Sequence, residues 1–252
     1  ASVGISSMTD NPKTEIEKAE IAKLYGADIV IDHTLTPKHY DVQKSILENV
    51  DIPLSAIAVY DVAADVLYSN GKNYFTAEDV LKAFELKAKL GVDMLTVHAS
   101  VLKSDLIYFD KNDRHIPCTS RGGTMVLENI RKTSEENYYF TYFDELLKIA
   151  KYYGVTISLG AVFRPADIYD AIYANYKYWE EIERNAYLAK KAVDAGVSVI
   201  VEGIGHCPLN LIKEVVEKSK KICSVPYRVL TVATDCGLGF DHVSSAIAAS
   251  AA

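Results

Sequence analysis

Hydrophobic and polar positions along this chain switch between two periods. Short apolar runs of strand length, rich in β-branched residues, alternate with longer stretches whose apolar residues recur at helical spacing. The runs are Val3 to Ile5, Asp28 to Ile31, Ile57 to Val59, Met94 to Val97, Ile116 to Thr119, Val155 to Leu159, Val197 to Val201 and Arg228 to Val232. Between them, Thr14 to Tyr25 reads as a helix, preceded by Pro12 and closed by Gly26. Thr76-Ala-Glu-Asp79 reads as a capping box, with Phe75 and Val80 placed to staple across the first turn of a helix that stops at Gly91. Phe143, Leu146, Leu147 and Ala150 share one helical face before Gly154, and a further helix around Ala186 to Ala195 stops at Gly196.

Four joints follow one grammar: Gly26-Ala-Asp-Ile, Gly91-Val-Asp-Met, Gly154-Val-Thr-Ile and Gly196-Val-Ser-Val. A glycine just past a helix supplies a left-handed C-cap, and a buried strand starts at once. Helix, glycine, strand is half of a βαβ unit, and its repetition predicts a parallel sheet covered by helices. With about eight strand candidates and no linker, the expected architecture is α/β, a TIM-type (β/α)8 barrel forming a single domain over residues 1–252. A doubly wound open sheet is the competitor, but no glycine-rich loop follows the first strand.

A barrel carries its chemistry just after the C-terminal ends of its strands. Asp32, Tyr60, His98, Ser120, Arg121, Arg164, Glu202, His206, Asp235 and His242 all fall there. A random scatter of polar residues would fall as often at strand starts, so the pattern points to an enzyme.

Composition narrows the partners. The chain has 252 residues, 49% hydrophobic and 24% charged, enough for one large core. Its net charge is −7 with no run of Lys and Arg, which argues against nucleic acid as the main partner. No apolar stretch reaches the length of a membrane span, and no basic segment followed by an apolar one opens the chain, so neither a membrane span nor a signal peptide is expected. Cys118, Cys207, Cys223 and Cys236 form no C-x-x-C pair and read as reduced thiols of a cytoplasmic protein.

Several groups could carry chemistry. Ser120-Arg121-Gly122-Gly123 offers a hydroxyl, a guanidinium and backbone N–H groups, a set suited to a phosphate or carboxylate; a simple β-to-α turn is the plainer reading. Arg164, held before Pro165, is a second clamp or a rim charge. His206 and His242 each follow a late strand and could hold Zn²⁺ or Fe²⁺ with positions left open; a closed site adding Cys207 and Cys236 ranks lower. Glu202 is a candidate general base or substrate ligand, or else one half of a rim ion pair. His98 is a candidate hydrogen-bond donor or proton carrier, or a satisfied core histidine. Tyr60 is singled out by its place after a strand, and the aromatic stretch Tyr169 to Trp179 reads as helix packing.

Taken together, the motifs resemble the phosphomethylpyrimidine synthase family of thiamine biosynthesis. The stretches that carry the resemblance are Thr96-Val-His98-Ala, Ser120-Arg-Gly-Gly123, Phe143 to Ala150, Thr156-Ile-Ser-Leu-Gly160, Arg164-Pro165, Val201-Glu-Gly-Ile-Gly-His206 with Pro208-Leu209, and Asp241 to Ile247. They keep the family's order over nearly the whole chain.

The resemblance implies a (β/α)8 barrel and a radical S-adenosylmethionine lyase that rearranges aminoimidazole ribotide, or a close phosphorylated analogue, toward the thiamine pyrimidine. It implies substrate contacts from Tyr60, His98, Ser120, Arg121, Gly122, Arg164, Glu202 and Tyr227, with Ser120 to Gly122 at the phosphate end and Glu202 and His98 as catalytic groups. It implies Zn or Fe on His206 and His242, S-adenosylmethionine beside that metal, and a homodimer.

The chain also departs from the pattern. Ala161 stands where the family has an acid, Val162-Phe163 replaces Gly-Leu, Ile31 replaces a methionine and Ser2 an asparagine. Loss of the acid suggests a substrate different from the family's usual one. The family binds a [4Fe–4S] cluster through a C-x-x-C-x4-C tail, and this sequence ends at Ala252 without one. The cluster is therefore expected only if the native chain extends beyond residue 252. Two other readings stand beside the radical enzyme: a non-radical His-metal lyase or hydrolase acting on a small phosphorylated substrate, and a non-catalytic barrel that binds a nucleotide-like ligand.

Overall fold

A computed structural model describes residues 1–5, 11–68, 71–110, 114–174, 176–204 and 207–229. The elements, in chain order, are β1 (Ser2–Val3), α1 (Pro12–Leu24), β2 (Val30–Asp32), α2 (His39–Asn49), β3 (Leu54–Ile57), α3 (Ala58–Val62), α4 (Ala77–Leu90), β4 (Met94–Val97), α5 (Leu106–Asp110), α6 (Arg121–Thr133), α7 (Tyr138–Thr141), α8 (Phe143–Tyr153), β5 (Thr156–Leu159), α9 (Ile168–Tyr173), α10 (Tyr176–Asp194), β6 (Val199–Ile204), α11 (Leu209–Ile222) and β7 (Tyr227–Val229). A π-helical turn, Ala63–Tyr68, continues α3, and a 3₁₀ turn, Lys103–Asp105, precedes α5. The strands follow sequence order from β1 to β7 in a seven-stranded sheet. The fold is thus α/β, as expected. The closed eight-stranded barrel is not reached among the described residues, because residues 230–252, which include most of the eighth run, lie outside them.

The chain divides into two compact units, residues 1–97 with 141–157 and residues 98–140 with 158–252. In the first, β1 to β4 pair in parallel, with Ser2 opposite Ile31, Ile31 opposite Ser55 and Ser55 opposite Met94. Val30, Leu54, Ala56 and Leu95 of these strands are fully buried. Helices α4 and α8 pack together, and Phe84, Ala88, Leu146 and Ala150 on them are buried. The capping box forms as the sequence implies: the Asp79 N–H donates to Thr76 Oγ1 at 3.3 Å and the Thr76 N–H to Asp79 Oδ2 at 2.9 Å. In the second unit β6 pairs with β7 in parallel, and α10 packs against β6 and α11. The core there gathers Ala161, Tyr178, Ile182, Cys207, Ile212 and Val215, with Trp179 against it, so the last two aromatics of the stretch pack, while Tyr169, Tyr173 and Tyr176 are exposed.

All four helix–glycine–strand joints are present. Gly26, Gly91, Gly154 and Gly196 have φ of 86°, 102°, 74° and 77°, the left-handed region that a side chain resists. Other boundaries differ from the pattern reading, each for a local reason. The third strand is Leu54–Ile57 rather than residues 57–59, because the chain turns helical at Ala58. Ile116 to Thr119 is not a strand: Pro117 lacks an N–H for a ladder. The helix before Gly196 begins at Tyr176, and β6 runs on through Glu202 to Ile204 instead of ending before the acid.

Candidate active site

The second unit collects most of the residues singled out by sequence. His98 is its first residue, directly after β4, and is 6% exposed. Ser120 is the N-cap of α6: its Oγ accepts the Gly123 N–H at 3.1 Å and lies 3.3 Å from His98 Nε2. The glycines that follow serve close packing rather than a tight turn. A methyl group on Gly122 would lie 2.4 Å from His98 Cε1, and one on Gly123 would lie 2.4 Å from Val162 Cγ1. Two bare backbones in the first helical turn let the positive end of α6 reach the imidazole. Arg121, the first helical residue, is exposed.

Burial pushes the His98 imidazole down from 6.5 to about 4; the charge of Glu202 pulls it up, and that of Arg164 pushes it further down. His98 is therefore neutral at physiological pH. Its Nδ1 is buried and makes no hydrogen bond to any described residue. Asn137 Nδ2 donates to the His98 and Val101 carbonyls, both at 2.8 Å, and fixes the backbone under the ring.

Glu202 lies on β6 and is 7% exposed. The Ser158 hydroxyl of β5 donates to its Oε1, and Arg228 Nη1 of β7 lies 3.1 Å from the same oxygen. Arg228 is Glu202's register partner in the parallel ladder. The rim ion pair weighed from sequence thus exists, and the charge of Glu202 still acts on His98, as does that of Arg164.

Arg164 is half-buried after β5. Its carbonyl accepts the Thr119 N–H at 3.1 Å, so the segment leading to Ser120 and the segment carrying Arg164 run side by side. Glu181 of α10, 1% exposed, sets the path of that second segment. It accepts the Val162 and Phe163 N–H groups, each at 2.7 Å, and the Ser100 hydroxyl at 2.7 Å. Burial holds its carboxyl above the usual range even though three donors pull it down.

The structure thus brings together His98, Ser120, Gly122, Arg164 and Glu202, with Arg121 at the head of the same helix. Tyr227 sits apart from them. Side chains alternate along a strand, and Arg228 faces Glu202. Tyr227 turns to the other side, where its hydroxyl donates to the Cys223 carbonyl at 3.1 Å and its ring meets the apolar core. Burial pushes its phenol up to about 12. Tyr60 belongs to the first unit, in α3 just after β3, buried with its ring centroid 6.4 Å from that of His33. Asp32, also at a strand end, is committed internally: it accepts from Thr34 Oγ1 at 2.6 Å and Gln43 Nε2 at 2.8 Å. His206, Asp235 and His242 lie outside the described residues.

Sequence reasoning passed over Ser158, Glu181, Arg228 and Asn137. Arg228 carried a readable signal, a basic residue one step into a late strand. The others are ordinary polar residues whose roles come from long-range contacts.

A family model described as the Radical SAM ThiC family matches residues 1–252. The chain belongs to this family. Phosphomethylpyrimidine synthase of Thermodesulfovibrio yellowstonii is 35% identical over 98% of this chain and 58% of its own length. The enzyme of that name from Dehalococcoides mccartyi strain CBDB1 is 37% identical over the same shares. Phosphomethylpyrimidine synthase 2 of Methanothermobacter thermautotrophicus is 34% identical, again over 98% of this chain and 58% of its own. The chain therefore spans somewhat under two thirds of the length of these curated relatives. Among solved structures, 3-keto-D-glucoside 4-epimerase from E. coli aligns at 13% identity with a TM-score of 0.39 over 100% of this chain and 98% of its own, a likeness too slight to carry over any property. No helix among the described residues is long and apolar enough to cross a membrane.

The family implies S-adenosylmethionine, a cluster and a metal. Cys118, Cys207 and Cys223 are buried free thiols, and burial pushes Cys118 and Cys223 up, away from the thiolate form a cluster needs. The described cysteines fit a core and do not fit a cluster. An imidazole pair such as His206 and His242 is a donor set suited to a borderline divalent ion.

Proposed function

We propose that this chain carries the substrate site of a phosphomethylpyrimidine synthase-type lyase, closed into a (β/α)8 barrel, that rearranges aminoimidazole ribotide or a close phosphorylated analogue. The observation that carries this reading is His98: a buried neutral imidazole with an unpartnered Nδ1, pressed against the N-terminus of α6. Unpaired buried nitrogens cost on the order of 1–3 kcal/mol, and a bound ligand that pairs one recovers that cost. The phosphate lies at Ser120, Arg121 and Gly122, where the helix N-terminus and the guanidinium favour an anion, with Arg164 as the second cation. His98 and Glu202 orient the heterocycle, and Glu202 holds or moves a proton on its amine or hydroxyl. Tyr227, turned to the far side of β7 with its hydroxyl on the Cys223 carbonyl, makes no substrate contact in this reading. A [4Fe–4S] cluster held by ligands other than the described cysteines would supply the electron for S-adenosylmethionine chemistry, and a divalent ion held by His206 and His242 would supply a Lewis acid. Two chains associate as a homodimer.

Calorimetry under anaerobic conditions tests the assignment, comparing aminoimidazole ribotide with its dephosphorylated riboside. A charge-assisted contact is worth roughly 1.5–3 kcal/mol, so Arg121→Ala should weaken the ribotide about 10- to 100-fold and leave the riboside unchanged. His98→Ala should weaken both. Equal affinity of the native protein for ribotide and riboside would overturn the phosphate assignment.

A further inference from the structure

A second cluster of chemistry-bearing side chains lies in the same unit, away from the groups above. His115, Asp167 and Asp170 each turn one ligand atom inward, and these atoms all lie within 4.8 Å of one another. His115 Nδ1 is 3.0 Å from Asp167 Oδ2 and 3.5 Å from Asp170 Oδ1. Ligand atoms around a tetrahedral ion with bonds of about 2.1 Å stand roughly 3.4 Å apart, so the spacing suits one ion.

The carboxylates are aimed by the backbone. Asp167 caps α9, its Oδ1 accepting the Asp170 N–H at 2.8 Å, while its Oδ2 is hydrogen-bonded to His115 Nδ1 at 3.0 Å, a contact that a bound ion would replace. Asp170 Oδ2 accepts the His115 N–H at 3.0 Å, which leaves Oδ1. Asp170 is thus pinned on one oxygen and presents the other, as second-shell contacts do for metal ligands. The decisive observation is Asp170 itself. It is 0% exposed, and its Oδ1 accepts no hydrogen bond. A buried carboxylate oxygen without a donor is costly unless a cation meets it. His115 is the exposed member, with 67% of its side chain accessible, so an ion can enter from solvent and keep water in its remaining positions.

We propose that His115, Asp167 and Asp170 bind a divalent transition-metal ion of the Zn²⁺ class. Two carboxylates balance its charge, and the imidazole selects it over Ca²⁺ or Mg²⁺, which take oxygen ligands. The ion ties two segments together. His115 lies five residues before Ser120, and Asp167 lies three after Arg164. Arg114 already links the same segments through the Ala174 and Phe163 carbonyls, both at 2.7 Å. The bound ion fixes the spacing of the two cationic arms of the phosphate site.

The probe is Co²⁺, whose visible d–d bands report coordination. The titration uses the full-length protein carrying His206→Ala and His242→Ala, so that the family's two-histidine position is silent. One Co²⁺ per chain should bind with tetrahedral bands. Adding His115→Ala should remove both the bands and the bound equivalent while circular dichroism stays unchanged. Asp167→Asn, which keeps an oxygen for the Asp170 N–H, should do the same if His115→Ala proves unstable. Absence of Co²⁺ uptake by the two-histidine variant, or uptake that survives both further substitutions, overturns the proposal.

Discussion

Lowering the pH places His98 under a load that can be calculated. Its pKa is 6.5 when exposed and about 4 in the folded protein, because burial disfavours the charged ring. The folded value is the lower one. Above pH 6.5 neither state carries the proton and the stability contribution is intact. As pH falls from 6.5 toward 4 the unfolded chain takes up the proton and the folded chain does not, so stability is lost progressively across that window. Each pH unit is worth 1.36 kcal/mol, which makes the full loss about 3 kcal/mol. Urea denaturation of the native chain and of His98→Gln, repeated from neutral to mildly acidic pH, isolates the effect. The difference between the two profiles cancels the buried acids Asp32 and Glu181, which burial also shifts. His39 acts on the other side: burial lowers it, but hydrogen bonds to Asp61 and Asp65 outweigh burial and hold it at about 9, so its contribution fades only as pH rises from 6.5 to about 9. A flat difference profile, or an imidazole that titrates near 6.5 by NMR, would refute a neutral buried His98.

Two further outcomes follow from packing. Gly122→Ala places a methyl 2.4 Å from His98 Cε1 and must displace the ring, at a cost of about 1–3 kcal/mol in urea stability and a shift of the His98 ring resonances; unchanged resonances would show that the contact is not held in solution. Ala161→Asp restores the family's acid, but Ala161 is 2% exposed within an apolar cluster and a methyl on Gly203 would lie 2.3 Å from its Cβ. The substitution should lower the thermal midpoint by several degrees through carboxylate burial, and an unchanged midpoint would show that a polar opening exists beside it.

The parts of this fold that were legible in the sequence are those decided locally. A left-handed glycine after a helix and a capping box at Thr76 are set by a few adjacent residues, and both appear as read. Helix α6 was harder to see, because Ser120-Arg-Gly-Gly looks like a turn. Glycine disfavours helix, and only the Ser120 cap and the packing on His98 and Val162 make it pay there. The candidate residues His98, Ser120, Arg164 and Glu202 were visible through their places after apolar runs. Their partners were not, since the pairing of Glu202 with Ser158 and Arg228 spans contacts that no local pattern encodes.

The Glu181 contact bears on how this family can diversify. Glu181 grips the loop after β5 only through main-chain N–H groups, at Val162 and Phe163. Every residue type except proline offers the same handle. The loop's course is stored in a helix some 20 positions downstream, and the identities at 162 and 163 are released from the task of shaping it. Steric limits remain at Ala161 and at Val162, which packs on Gly123, but within them the side chains can change while Arg164 keeps its address. Change in these buried side chains is thus uncoupled from the placement of Arg164.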